Sequence, residues 1–105
     1  MDSLTADRDR CRRLVERLRG MSEASLTRSR DGLTGRSVAT AVHDLCVWAA
    51  GREGVPSPVP LLHPLASGDQ LWVIGSEFLE WIELSADRQA LSTWRDELDE
   101  IRRAV

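Results

Sequence analysis

The side chains of widest chemical range in this 105-residue chain are two histidines, two cysteines, a short ladder of glutamates and fourteen arginines. His43 and Cys46 stand three residues apart on a helical stretch, and Cys11 and His63 could reach them only from other elements. Zinc takes four such ligands in a tetrahedron, and its structural sites usually grow from a CxxC or a closely spaced His pair. This chain has neither. The set reads as a boundary histidine beside small buried cysteines, with no metal site and no disulfide framework.

Glu77, Glu80 and Glu83 repeat at a spacing of three on one side of a helical segment. Dinuclear sites in helical bundles combine single glutamates with ExxH pairs, and no ExxH occurs here. General acid and base work needs two carboxyls in unlike environments, and the pattern singles out none of the three. No serine lies in a GxSxG elbow. The chain also lacks lysine altogether, which removes the P-loop, the Schiff-base amine and the kinase strand lysine. The expectation is a protein that is not an enzyme and carries no cofactor.

The arginines are unevenly placed. Residues 1–36 hold nine against six acids, a balance of plus three; residues 37–105 hold five against eleven, minus six, summing to the net charge of minus three. Along the first helix, Arg8, Arg12 and Arg19 border one side of the apolar stripe, while Arg10, Arg13 and Arg17 lie beyond the other. Arg8, Arg12, Arg13, Arg17 and Arg19 are the candidate contacts for an anionic partner. Basic segments of this kind mark nucleic-acid binding, but the interspersed acids, the negative total and the lack of helix-turn-helix spacing argue for another use. The favoured use is pairing with Asp96, Glu97, Asp99 and Glu100 of the last helix, within one chain or between two.

Four helices must position these groups. Leu4, Cys11, Leu14, Val15 and Leu18 define the first, over residues 4–19, stopped by Gly20. Residues 21–35 read as a short helix or loop, with Ser22 as a cap and Asp31-Gly32 as a turn. The second helix spans about 35–50, with Thr34 or Ser37 as cap and Val38, Ala41, Val42, Leu45, Trp48 and Ala49 on one face. Prolines at 56, 58, 60 and 64 then forbid helix and favour an extended strap over residues 55–64, whose leucines suggest that it is pressed across the bundle. The third helix, 69–84, has an apolar arc near 180° wide and should be central, although residues 71–74 also fit a short strand ended by Gly75. The fourth, 86–105, capped by Ser85, repeats Leu91, Trp94, Leu98, Ile101 and Val105 as a heptad seam.

The reading is therefore one all-α domain, about four main helices in a bundle with a Pro-rich strap between the second and third. No stretch is long and apolar enough to span a bilayer, and the charged start is unlike a secretory signal, so the expected place is the cytoplasm. The segment Val59 to Leu79, VPLLHPLASGDQLWVIGSEFL, following a helix that ends in small residues and glycine, resembles small uncharacterised all-α proteins of high-GC actinobacterial type. That resemblance implies a helical fold and attaches no activity, cofactor or site residue. High GC content also enriches arginine. The function expected is a non-catalytic interaction or regulatory module acting by protein binding, as a homodimer or with another protein. Candidate interface residues are Trp72 and Trp81 at the edges of the third helix's arc, and Leu91, Trp94, Leu98 and Ile101 of the heptad seam. A small nucleic-acid-binding regulator is the alternative.

Overall fold

Four long helices and one short one make up the regular structure of the computed structural model, which describes residues 4–54 and 59–105. In chain order they are α1 (Leu4–Arg19), α2 (Glu23–Thr27), α3 (Val38–Glu53), α4 (Ser67–Ser85) and α5 (Arg88–Ala104), with 3₁₀ turns at Asp31–Leu33 and Pro64–Ala66. The all-α bundle inferred from the sequence is the fold. Among the described residues the sole extended pairing is one bridge between Ser29 and Ser37.

Local chemistry sets the helix ends. Ser22 Oγ accepts from the Ser25 amide at 3.1 Å and Ser37 Oγ from the Thr40 amide at 3.1 Å, each satisfying a first-turn donor that has no partner within the helix. Thr34, the other cap considered, instead sits in the left-handed region at φ 58° and closes the 3₁₀ turn. The second main helix is accordingly 38–53 and not 35–50. Gly51 does not stop it, because an interior glycine costs only about 1 kcal/mol; Gly54 does, at φ 76°, where its amide bonds Ala50 O and Gly51 O.

The third main helix begins two residues earlier than expected and runs straight through residues 71–74, which rules out the strand alternative. Ser85 ends α4 and does not cap α5. Ala86 turns left-handed at φ 55°, and Asp87 caps α5 by accepting from the Ala90 amide at 3.0 Å. A carboxylate is the better cap here, since it also meets the positive end of the helix dipole. The Ala90 amide, with Arg52 next to it, holds the Asp87 carboxyl below its usual range.

Side-chain pairs fix the directions of the helices. Arg8 meets Glu83 and Arg19 meets Asp69, so α1 and α4 run antiparallel. Asp7 meets Arg95, and Arg10 lies near enough to Asp99 to lower its pKa, so α1 and α5 run the same way. Arg52 meets Asp87, and α3 is antiparallel to α5. The helices thus follow one another around the bundle as α1, α4, α3, α5, with α4 packed broadly against both α1 and α3. The wide apolar arc required such a central helix.

Phe78 of α4 is the hub of the core: its ring centroid lies 5.4 Å from Trp48, 5.8 Å from Trp81 and 4.9 Å from Trp94. Such offset aromatic contacts add to the burial of the rings themselves. Trp94 is fully buried, and its indole N–H has no hydrogen-bond partner. Both cysteines are free and buried in the same core.

The strap behaves differently from its leucines' promise. Residues 55–58 lie outside the described residues. Beyond them, His43 Nε2 approaches Val59 O at 3.4 Å and Gln70 Nε2 donates to Pro60 O at 2.7 Å, while Leu61, Leu62 and Leu65 point outward. Prolines supply no amide hydrogen, so a Pro-rich segment docks through carbonyls that need donors from elsewhere. Gln70 and His43 provide them here.

Candidate docking face

The heptad seam of the last helix faces inward. Trp94, Leu98 and Ile101 are buried and Leu91 half-buried, all against the core of the same chain. As interface candidates they are corrected: the spacing that suits a partner helix is satisfied by α3 and by the Phe78 cluster. Trp81 is half-buried against Phe78 and has little surface to offer. Of the six interface candidates, Trp72 alone is exposed, at 40%.

Trp72 has company on the outer side of α4. Val73, adjacent in sequence, is 53% exposed, and Leu65, in the 3₁₀ turn that leads into α4, is 55% exposed. Every charged residue of α4 is an acid: Asp69, Glu77, Glu80 and Glu83. Alongside runs the Arg8, Arg12, Arg19 border of α1. Arg8 Nη2 lies 2.9 Å from Glu83 Oε1, and Arg19 donates from Nε to Asp69 Oδ1 at 2.8 Å and approaches the same oxygen through Nη2 at 2.7 Å. Trp72 falls between these two bridges, and on the α1 side Arg12 is paired with Asp9 and Glu16 of its own helix.

Close backbone approach holds α1 and α4 together beneath this face. A Cβ on Gly68 would stand 3.1 Å from Val15 O and 3.1 Å from Arg19 Cγ; one on Gly75 would stand 3.0 Å from Cys11 Sγ and 3.1 Å from Trp94 Cη2. Two glycines seven residues apart therefore form a trough in α4 that receives α1.

A second concavity lies on the other flank of α1, between it and α5. It encloses about 500 Å³ over a floor of Leu14 and Leu98, with Arg10, Arg13, Arg95 and Arg102 facing Asp7, Asp96 and Asp99. Asp7, only 2% exposed, accepts from Arg95 Nε and Nη2, both at 2.8 Å. Asp99 accepts from Arg102 Nε at 3.0 Å and Nη2 at 2.6 Å. The groove is thus close to neutral, each guanidinium backed by a carboxylate.

The expected pairing of α1 arginines with α5 acids is largely replaced. Arg8 and Arg19 turn to α4; Arg12 and Arg13 both bond Asp9 within α1, holding that carboxyl below its usual range through the Arg12 hydrogen bond first. Arg10 alone reaches toward Asp99. Arg17 makes no ion pair among the described residues. Two further arginines of the basic front are structural: Arg30 donates to Ala104 O at 2.6 Å, tying down the end of α5, and Arg36 donates to Asp44 at 3.0 Å.

The histidines and cysteines do not converge. Burial pushes the Cys11 thiol up to about 11 and the Cys46 thiol up to about 12, the latter with a smaller push from Cys11. His63 Nδ1 accepts from the Leu65 amide at 3.2 Å, so its proton is on Nε2, 3.5 Å from Glu23. His43 and His63 share the rim of a cavity of about 240 Å³ under the strap, from which Cys46 is absent. Glu77 stands close enough to Glu53 to help raise the latter's pKa, after the larger effect of burial. Among the described residues no three metal-binding side chains cluster, and no helix is long and apolar enough to cross a membrane. Comparison with protein-family models, with curated proteins and with solved structures finds no match for this chain.

Proposed function

We propose that this chain is a non-catalytic interaction module whose docking face is the outer surface of α1 and α4 around Trp72. The observation that carries this reading is an exposed tryptophan, with the exposed Val73 next to it in sequence, on a helix whose backbone packs closely against α1. Tryptophan anchors dominate binding energy at interfaces when they are held rigidly and ringed by polar groups. Both conditions are met by the glycine trough beneath and the two ion pairs on either side. The chemistry-bearing residues support the same reading. Protonated thiols are poor nucleophiles, and each histidine ring bonds a backbone atom.

The nucleic-acid alternative has less support. Arg8, Arg12, Arg13 and Arg19 each have a carboxylate within 4 Å. An arginine already neutralised by a neighbour gains little by meeting phosphate, and counterion release scales with the phosphates neutralised.

A photo-crosslinking amino acid placed at position 72 tests the docking face. Under illumination in the source cell it should give a covalent adduct with a polypeptide, whereas the same probe at Val47, exposed on α3, should not. Equal adducts from both positions, or none from 72, would remove the face from consideration.

A further inference from the structure

We propose that the cavity beneath the strap is a binding site for a small neutral molecule that donates hydrogen bonds, of the primary carboxamide type. The site is independent of the docking face around Trp72. It lies where the strap crosses the first turns of α3 and α4, and it encloses about 240 Å³. Its floor is polar and buried. Gln70, 8% exposed, donates from Nε2 to Pro60 O at 2.7 Å. A carbonyl oxygen can only accept, so the amide nitrogen is fixed on Pro60 and Oε1 takes the other place. Among the described residues no donor answers that oxygen. Ser67, 7% exposed, spends its hydroxyl hydrogen on Pro64 O at 2.6 Å and keeps its lone pairs. Residues three apart on a helix are neighbours, so the floor holds two buried acceptors together. Buried polar atoms of folded proteins are nearly always paired, and here the partner must come from the cavity.

Most hydrogens around the rim are spent within the chain as well. Thr27 Oγ1 donates to Glu23 O at 2.8 Å, and Ser37 Oγ donates to Thr40 Oγ1 at 3.0 Å. His43 Nε2 meets Val59 O, and His63 Nε2 lies 3.5 Å from Glu23 Oε1. Thr40 is the hydroxyl whose own hydrogen meets no acceptor among the described residues. The cavity thus offers several lone pairs and one hydroxyl hydrogen, the complement of a primary amide with its two N–H donors and one carbonyl acceptor. Among the described residues neither a carboxylate nor a guanidinium lines it. A carboxylate ligand would set lone pairs against lone pairs, and an ammonium would leave its charge without a counter-ion. The outer wall is apolar: Leu61 and Leu62, 78% and 43% exposed, line the cavity with Pro64. A planar apolar group on the ligand would cover them, and such burial adds to affinity. One water would answer Gln70, but the volume is that of about eight at ~30 Å³ each, more than a single orphan acceptor requires.

Benzamide is the probe, titrated into the isotope-labelled full chain and followed by the backbone and side-chain amide signals in the NMR spectrum. Saturable shifts are expected at the Gln70 side-chain amide and at the backbone amides of Thr40, His43 and Leu62, with none at Trp72. Benzoate has the same ring without the donors, and benzamidinium has the donors with a charge; each should bind at least tenfold more weakly. Gln70→Met keeps the bulk of the side chain and removes the acceptor, and should weaken benzamide at least tenfold. Because that change also frees Pro60 O, Thr40→Val on the exposed rim gives a second reading and should weaken benzamide severalfold with the fold intact. No saturable shift from benzamide up to tens of millimolar, shifts confined to residues away from the strap, equal binding of benzoate or benzamidinium, or full affinity in a folded Gln70→Met or in Thr40→Val would overturn the proposal.

Discussion

The two flanks of α1 are held by opposite means. Toward α4 the inner contact is steric, with the ion pairs Arg8–Glu83 and Arg19–Asp69 at its exposed rim: Gly68 and Gly75 remove side chains so that Val15 O, Arg19 Cγ and Cys11 Sγ can approach the α4 backbone. Toward α5 the helices stand apart over an open groove, and the contact is a buried carboxylate, Asp7, gripped by Arg95. A tight apolar seam resists substitution by volume, whereas a polar seam resists it by charge. One helix thus carries two kinds of vulnerability, and they can be told apart by mutation.

The largest effect is expected at the steric flank. Gly75→Leu would drive four heavy atoms into the space of Cys11 and Trp94, and overpacking of a close-packed core costs about 3 kcal/mol at the upper end of its usual range. Gly51→Ala is the control: a Cβ there meets nothing within 4 Å, so the substitution should stabilise by up to about 1 kcal/mol through helix propensity. Urea unfolding of the two variants measures both. If Gly75→Leu cost no more than about 1 kcal/mol, the α1–α4 contact would be loose and the firmness of the docking face would be lost with it.

At the polar flank the expected effect is smaller and asymmetric. Arg95→Ala leaves the Asp7 carboxylate buried without its bidentate partner, a loss of about 2 kcal/mol, since only Arg10, 3.7 Å away, remains to answer it. Asp7→Asn leaves Arg95, which is half exposed and can turn to water, and should cost about 1 kcal/mol. Equal costs would mean that Asp7 is hydrated and that this flank has no buried charge to protect.

Part of this contrast was legible in the sequence and part was not. The division of α1 arginines into two borders, Arg8, Arg12 and Arg19 against Arg10, Arg13 and Arg17, follows from helical periodicity, and the structure uses it: Arg8 and Arg19 turn to α4, Arg10 and Arg13 to the groove. Which acids answer them did not follow, because periodicity places a residue on a face without saying which helix lies opposite. The charge pattern does not single out Asp7, although it stands four residues before Cys11 and seven before Leu14 and so continues the apolar stripe; that spacing is the available signal. The heptad seam of α5 had the right period, but a period cannot distinguish another helix of the same chain from a partner. In the sequence Gly75 marks only the end of a possible short strand; its place against Cys11 and Trp94 depends on which helices pack there. Trp72 was placed at the edge of that arc, and an arc edge is where a side chain can be both held and exposed.

The smallest effect concerns the pH dependence of the groove. Arg102 is the main cause of a depressed Asp99 carboxyl pKa, with Arg103 and Arg10 adding to it. A carboxyl whose pKa is lower folded than unfolded contributes stability above its unfolded value, near 3.8, and that contribution is lost as pH falls through the folded value. Asp99→Asn should therefore flatten the acid limb of the melting curve below about pH 4 and lower the melting point slightly at pH 7, where salt would mask much of the difference. Glu53 supplies the opposite sign: burial first and Glu77 second raise its carboxyl pKa, so the folded state is penalised once pH rises through the folded value. Glu53→Gln should raise the melting point at pH 7 and converge with the unmodified chain in acid. A melting point that rises at pH 7 in both variants would mean that Asp99 is not held by its arginines, and the groove would then be an uncommitted surface and not a charge-balanced seam; one that falls in both would mean that Glu53 is not penalised by its burial.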